Sequence, residues 1–210
     1  MRITVFGGTG PTGLLLVQQA LTQGHDVVAY ARTPSKLPRH ERLSVVEGQL
    51  DDADKVAAAV AGSEAVLSVL GPGTKAADVP PLVTGTRSIV AAMREHGVRR
   101  LVATGTPSIN DDADSKDWKI GLLVKLISRF QPVAYDAIVT IGNIVRESLL
   151  DWTIVRLPFL SNGPHTDRIN ARRVGEKGSL RLSRANAAAF VLQQATDTTY
   201  LHKAPFITDK

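Results

Sequence analysis

The chain has 210 residues, of which 43% are hydrophobic and 21% charged, as expected for one soluble α/β domain over residues 1–210 with a large core. It contains no cysteine, which excludes disulfides, thiolate metal sites and cysteine nucleophiles. The net charge of +5 raises nucleic acid as a partner, but the basic residues are spread out. Their one modest concentration, at Arg168, Arg172, Arg173, Lys177, Arg181 and Arg184, fits an anionic small molecule or a solvated surface equally well.

Ile3-Thr4-Val5-Phe6 reads as a strand at once, with no signal peptide ahead of it and no later run apolar enough to span a bilayer. A cytoplasmic location is therefore expected, with neither membrane nor nucleic acid as partner and no metal site. The strand runs into Gly7-Gly8-Thr9-Gly10-Pro11-Thr12-Gly13, and an apolar-periodic helix opens at Leu14. Gly8, Gly10 and Gly13 read as G-x-G-x-x-G; Gly7, Gly10 and Gly13 read as G-x-x-G-x-x-G. Either pattern, between a strand and a helix, marks a turn that lets backbone approach a pyrophosphate and helix pack closely on strand. Pro11 suits the first helical turn, and the free N–H groups with Thr9 and Thr12 then face the anion. Dinucleotide binding follows as the expectation.

Asp26–Ala31 reads as a second strand, followed by Arg32-Thr33-Pro34-Ser35-Lys36. About 20 residues after the last motif glycine, an NAD-selective site carries a carboxylate on the ribose 2′-hydroxyl. Arg32 stands there instead, 19 positions after Gly13, where a guanidinium can grip a 2′-phosphate in a forked geometry. Ser35 and Lys36 add a hydroxyl and a second charge, so NADP(H) is expected over NAD(H). Leu43–Glu47 is a third strand. After it, Gln49 offers an amide to the adenine edge and Leu50 a main-chain contact.

Asp51 or Asp52 caps a helix through Ala61, stopped by Gly62. Ala65–Leu70 reads as a buried strand; Leu70-Gly71-Pro72-Gly73 then has the small residues that a chain passing near a sugar or phosphate needs. Pro80 and Pro81 precede a helix through about His96. Arg100–Thr104 is the next strand, and Thr104-Gly105-Thr106-Pro107-Ser108 would bring hydroxyls near a nicotinamide. Residues 105–117 read as a polar loop rich in aspartate. Helices are expected over Trp118–Phe130, Tyr135–Leu149 and Arg184–Ala195, and strands over Trp152–Leu157 and near Pro205–Ile207. Residues 161–178 read as irregular and basic. This alternation predicts a doubly wound, mostly parallel Rossmann sheet with the ligand beyond the carboxyl ends of its strands. His96 and His165 have no partner visible in sequence and read as structural or solvated.

Gly7–Gly13, Ala31–Leu37, Leu101–Thr106, Val145–Ser148 with Trp152–Arg156, and the tail Arg184–Asp209 together resemble the atypical short-chain dehydrogenase/reductase family. The likeness is to its small NAD(P)-binding group of NmrA-like proteins and flavin/biliverdin-IXβ reductases. The resemblance implies that Arg32, Ser35 and Lys36 hold the 2′-phosphate and that Thr106 takes the place of a reductase serine beside the nicotinamide. It also implies that Pro158 and Phe159 line the nicotinamide end. The chain departs from the group at Thr106 for serine, Gln49 for aspartate and Phe159 for a flavin-reductase histidine. The family's usual proton donor is a tyrosine followed four residues later by lysine. Tyr135 is followed at that distance by Val139, and Tyr30 and Tyr200 also lack the lysine, so Tyr135 reads as packing. A reductase with a flavin, quinone or similar small acceptor is the activity implied. The alternative is a non-catalytic NADP(H)-sensing regulator with a protein partner. A nucleotide-sugar epimerase fits poorly without the Tyr–Lys pair.

Overall fold

The computed structural model describes residues 1–72 and 79–210. In chain order the strands are β1 (Arg2–Phe6), β2 (Asp26–Ala31), β3 (Leu43–Glu47), β4 (Ala65–Ser68), β5 (Arg100–Gly105), β6 (Asp151–Arg156), β7 (Phe159–Ser161), β8 (Ile169–Arg172), β9 (Arg181–Ser183) and β10 (Phe206–Asp209). The helices are α1 (Pro11–Thr22), α2 (Ala53–Val60), α3 (Pro80–Glu95), α4 (Trp118–Phe130), α5 (Pro132–Arg146) and α6 (Arg184–Gln193).

Eight strands form one sheet in the order β3-β2-β1-β4-β5-β6-β10-β8. Every neighbouring pair is parallel except β10 with β8, and β7 with β9 forms a separate parallel pair. This is the doubly wound Rossmann arrangement expected. The chain winds outward from β1 to β3, then returns to the other side of β1 at β4, so the switch point lies between β1 and β4.

The strand period of two assigns the core to both faces. Ile3 and Val5 of β1, with Leu67 and Val102, pack against Leu16, Val17 and Ala20 of α1 and Ala188 and Val191 of α6. Phe6, Val28, Tyr30, Val66 and Leu101 point the other way, onto Val56 of α2, Ile89 and Met93 of α3 and Val145 of α5. Thr4 is fully buried between them. It is tolerated there because its hydroxyl donates to Ala59 O at 2.7 Å and pairs with Ser63 Oγ at 2.7 Å, leaving no polar atom stranded.

Local sequence sets most helix ends. Asp52 caps α2 through Lys55 N, Asp117 caps α4 through Lys119 N and Ile120 N, and Ser183 caps α6 through Asn186 N. Gly62 and Gly97 follow α2 and α3 in the left-handed region. β4 stops at Ser68 rather than Leu70, because its partner β1 turns away at Gly7 after the Val69 N–H bonds Phe6 O. α5 begins at Pro132, earlier than Tyr135, since proline is preset for a first turn. It ends at Arg146, where the Ser148 hydroxyl takes Val145 O.

Residues 161–178, expected to be irregular, contribute β8 to the sheet edge, and β9 follows them. The aspartate-rich loop 105–117 is an anchor rather than a solvated span. Asp114 forms a forked ion pair with Arg156, Nη2 to Oδ1 at 2.8 Å and Nη1 to Oδ2. The Arg156 guanidinium also donates to Ile109 O, and Asp114 accepts the Val174 N–H. Asp111 accepts the Ala204 N–H. Burial by itself would raise the Asp114 pKa, but the hydrogen bond and charge of Arg156, with the N–H groups of Asp111 and Val174, hold it below the usual carboxylate value.

Arg156 is 1% exposed, so removing its counter-ion strands a buried charge. Asp114→Ala is expected to lower unfolding stability by about 3–5 kcal/mol, and Asp114→Ala with Arg156→Met to recover part of it, as read by urea unfolding. Because the folded-state pKa of Asp114 is depressed, its contribution is complete above the unfolded value of about 3.9. It is lost as pH falls through the folded value. The gap between wild type and Asp114→Ala should therefore close below about pH 4.

Candidate dinucleotide site

The carboxyl ends of β1 to β4 form an open cleft of about 260 Å³. Its floor is Gly7, Thr9 and Gly10; Tyr30, Ala31 and Arg32 come from the end of β2 and Gly48, Gln49 and Leu50 from the turn after β3. Val69, Leu70 and Gly71 follow β4, and Pro81 and Leu82 of α3 close the side.

The glycines have separable roles. Gly7 has φ +83°, and a Cβ there would lie 2.8 Å from Val69 O. A Cβ on Gly13 would lie 2.1 Å from Gly7 O, so Gly13 lets α1 sit directly on the turn, while Gly7 lets the segment after β4 pass close beside it. Gly10 differs. Its φ is −74°, open to any residue, and a Cβ would meet nothing closer than Gly7 O at 3.4 Å. Nothing in the fold of the described residues demands glycine there. What it preserves is empty space before the first turn of α1, where Pro11 takes the first helical position, Gly10 offers no capping side chain and no acidic residue stands. That end of the helix presents N–H groups and positive dipole to the cleft. Thr12 is half-buried and Gly13 buried beneath it.

Arg32 is exposed at the far wall of the cleft. Ser35 and Lys36 lie beyond it on a 3-10 turn, exposed and outside the cleft lining. Leu50 packs its side chain toward α3, where a Cβ on Gly85 would come within 2.7 Å of Leu50 Cβ. The main chain of the Gln49–Leu50 turn is thereby left toward the cleft. Gly73 lies outside the described residues.

Sequence reasoning missed Tyr30 as part of the wall. Its hydroxyl donates to Gln49 O at 2.6 Å and occupies the place a Gly48 Cβ would take, 2.3 Å away. Its ring packs on Phe6 with centroids 5.2 Å apart. Burial, with the nearby charges of Asp52 and Asp51, pushes its pKa up to about 12, so it remains a donor and fixes the turn. The signal in sequence was the pairing of a buried tyrosine at the end of a strand with a glycine at the end of the neighbouring one.

The second predicted group stands at the same end of the sheet, at β5 and β6, but outside the cleft lining. The Thr104 hydroxyl donates to Ser68 O at 3.4 Å, and Gly105 makes room for Ile109 Cδ1, 2.5 Å from where a Cβ would stand. Thr106 is half-buried; its Oγ1 accepts the Ser108 N–H at 3.3 Å, a bond that leaves the hydroxyl proton unused. Pro158 is half-buried and Phe159 is 59% exposed at the start of β7. Tyr135 is half-buried in the first turn of α5. His165 faces Asp167 at 3.0 Å in a surface loop.

A family model described as NAD(P)H-binding matches residues 7–198. The chain is 34% identical over 119 residues to a 3-beta-hydroxysteroid dehydrogenase of Mycolicibacterium neoaurum, a match covering 51% of this chain and 32% of that protein. The chain thus spans about a third of that relative's length. Among solved structures, a short-chain dehydrogenase/reductase of Veillonella parvula in complex with NADP superposes with TM-score 0.79 at 22% identity, covering 99% and 94% of the two chains. ChuY, an anaerobillin reductase of Escherichia coli O157:H7, superposes with TM-score 0.81 at 18% identity, covering 100% and 97%. With a doubly wound Rossmann fold and a family match over most of its length, this chain belongs to the NAD(P)H-binding family.

Proposed function

We propose that the chain is an NADPH-dependent reductase that passes hydride to a flavin, a quinone or a similar small conjugated acceptor. The observation that carries this reading is the space kept by Gly10 before the uncapped start of α1, in one cleft with Arg32. Gly7, Thr9, Gly10 and the first turn of α1, Pro11–Gly13, would hold the pyrophosphate; Gln49 and Leu50 the adenine; Leu70 and Gly71 the sugar–phosphate path. Arg32 would take the 2′-phosphate, with Ser35 and Lys36 completing the basic edge.

The nicotinamide, when bound, supplies the hydride. Thr104, Gly105, Pro158 and Phe159 would border it, and the Thr106 hydroxyl, with its proton unused in the protein, would orient the acceptor by donating a hydrogen bond. No lysine follows a tyrosine at the spacing of the usual proton donor. A flavin or quinone suits such a site, because it can take hydride and then a proton from water. ChuY, which shares this fold, is an anaerobillin reductase, and that supports a planar conjugated acceptor.

Three outcomes test this reading. Gly10→Val should fold with an unchanged thermal midpoint yet lose dinucleotide binding by calorimetry, because its side chain fills the pyrophosphate space. Arg32→Ala should weaken NADPH by roughly ten- to a hundredfold, since one charge-assisted bond is worth about 1.5–3 kcal/mol, and leave NADH nearly unchanged. Added salt should act in the same direction on this exposed contact; equal affinities for both dinucleotides, insensitive to Arg32→Ala, would assign the 2′-phosphate elsewhere. Wild type should oxidise NADPH with a member of a flavin and quinone panel, and Thr106→Ala should slow turnover only modestly. Tight NADPH binding without turnover across the panel would favour the non-catalytic sensor.

A further inference from the structure

Helix α4 is apolar on both sides. Its inner side sets Ile120 and Val124 against Val174, Leu180 and Phe206. Its outer side exposes Trp118 at 74%, Leu122 at 51%, Leu126 at 46% and Phe130 at 76%, and Val133 continues the patch at 53%. The spacing of four residues lines the first four along one side of the helix. Scattered surface apolar residues need no explanation, but a continuous row with an aromatic at each end marks an interaction surface.

Most of the charges around the row are positive. Within α4 stand Lys119, Lys125 and Arg129, all exposed, and no acidic residue. Exposed Lys116 precedes them. A second basic element is seated against the start of the helix. Ser115 N bonds Val174 O, and a Cβ on Gly175 would lie 2.6 Å from Ser115 Cβ. This close approach brings the exposed Arg173 and Lys177 beside the N-terminal end of α4. Three acids share the region: exposed Asp136 stands three residues after Val133 at the far end of the row, and the other two are committed to backbone. Asp117 accepts the Lys119 and Ile120 N–H groups, and Glu176 accepts the Arg173 N–H.

A helix with Trp, Leu and Phe toward the outside, cations beside them and no acid has the composition that lies in the headgroup layer of an anionic membrane. Lysine and arginine stems can run along the apolar row and lift their charges to the phosphates. Among the described residues no helix is long and apolar enough to cross a membrane, so the contact would be peripheral. We infer that the outer face of α4, with the Arg173–Lys177 turn, docks the protein on an anionic lipid surface. This is independent of the reductase reading, and it proposes a membrane surface where the sequence reading expects none.

The full chain would be sedimented with vesicles of phosphatidylcholine alone and of phosphatidylcholine with about a third phosphatidylglycerol. Binding is expected only to the anionic vesicles, with a blue shift of Trp118 emission; Trp152, the other tryptophan, is 9% exposed and serves as a constant background. Leu122→Asp should abolish binding without moving the thermal midpoint, since the side chain is exposed. Lys119→Gln and Lys125→Gln should each weaken binding about fivefold. Equal binding to neutral vesicles, or no binding by folded wild type, would overturn the proposal. So would a vesicle-free dimer that Leu122→Asp dissociates, which would give the face to a second copy of the chain.

Discussion

The candidate site depends on how closely α1 sits on the turn after β1. Gly7 and Gly13 have no room for a side chain, because each would place its Cβ inside contact distance of backbone carbonyl oxygen. The close approach at Gly13 seats the helix on the turn, the one at Gly7 seats the segment after β4 beside it, and Pro11 and the uncapped Gly10 leave the first N–H groups of α1 directed outward. The other walls are arranged around this fixed point. Tyr30 pins the Gln49–Leu50 turn by its hydroxyl, and Gly85 lets Leu50 pack onto α3. A shift in α1 would move the anion-binding groups relative to these walls and to Arg32, so the glycine pair acts as the reference for the whole site.

A second anchor serves the other end of the sheet's ligand edge. Arg156, at the last residue of β6, gathers Ile109 O and the Asp114 carboxylate, and Asp114 reaches Val174 beyond β8. One buried guanidinium therefore ties the segment after Thr106 to the segment that packs beneath α4. A buried ion pair is weak evidence for stability when compared with an apolar pair, but its loss on one side is costly. Its stronger consequence here is positional: the start of α4 and the Thr106 loop are held to the same strand. Arg100 has a comparable role lower in the sheet, donating to Gln194 O, Asp151 O and Thr153 Oγ1, while burial pulls its pKa down and Asp151 and Asp197 oppose that.

The local signals in the sequence were strong where one residue type answers one backbone need. The β1–glycine–α1 unit, the Asp52, Asp117 and Ser183 caps, and the stops at Gly62 and Gly97 all act within a few residues. Eight of the predicted dinucleotide residues, Gly7, Thr9, Gly10, Arg32, Gln49, Leu50, Leu70 and Gly71, meet in one cleft because the fold places every strand's carboxyl end on one side. β7, β8 and β9 were invisible by contrast. They are three or four residues long without the apolar run that marked β4, and their existence rests on partners distant in the chain.

The sequence by itself determined the alternation of strands and helices, the glycine-rich turn between β1 and α1, a cation at Arg32, 19 positions after Gly13, and the absence of a tyrosine followed four residues later by lysine. Each of these is a property of neighbouring residues or of a fixed spacing. Only the tertiary structure decided that Tyr30 is a wall of the cleft, that Asp114 is the partner of Arg156 rather than a solvated loop acid, and that α4 turns a basic, aromatic-ended face outward. These facts depend on which surfaces come together across 42 positions, as for Asp114 and Arg156, or are left uncovered when the helices have packed. Local periodicity contains the apolar row of α4, but not which side of it the body of the protein covers.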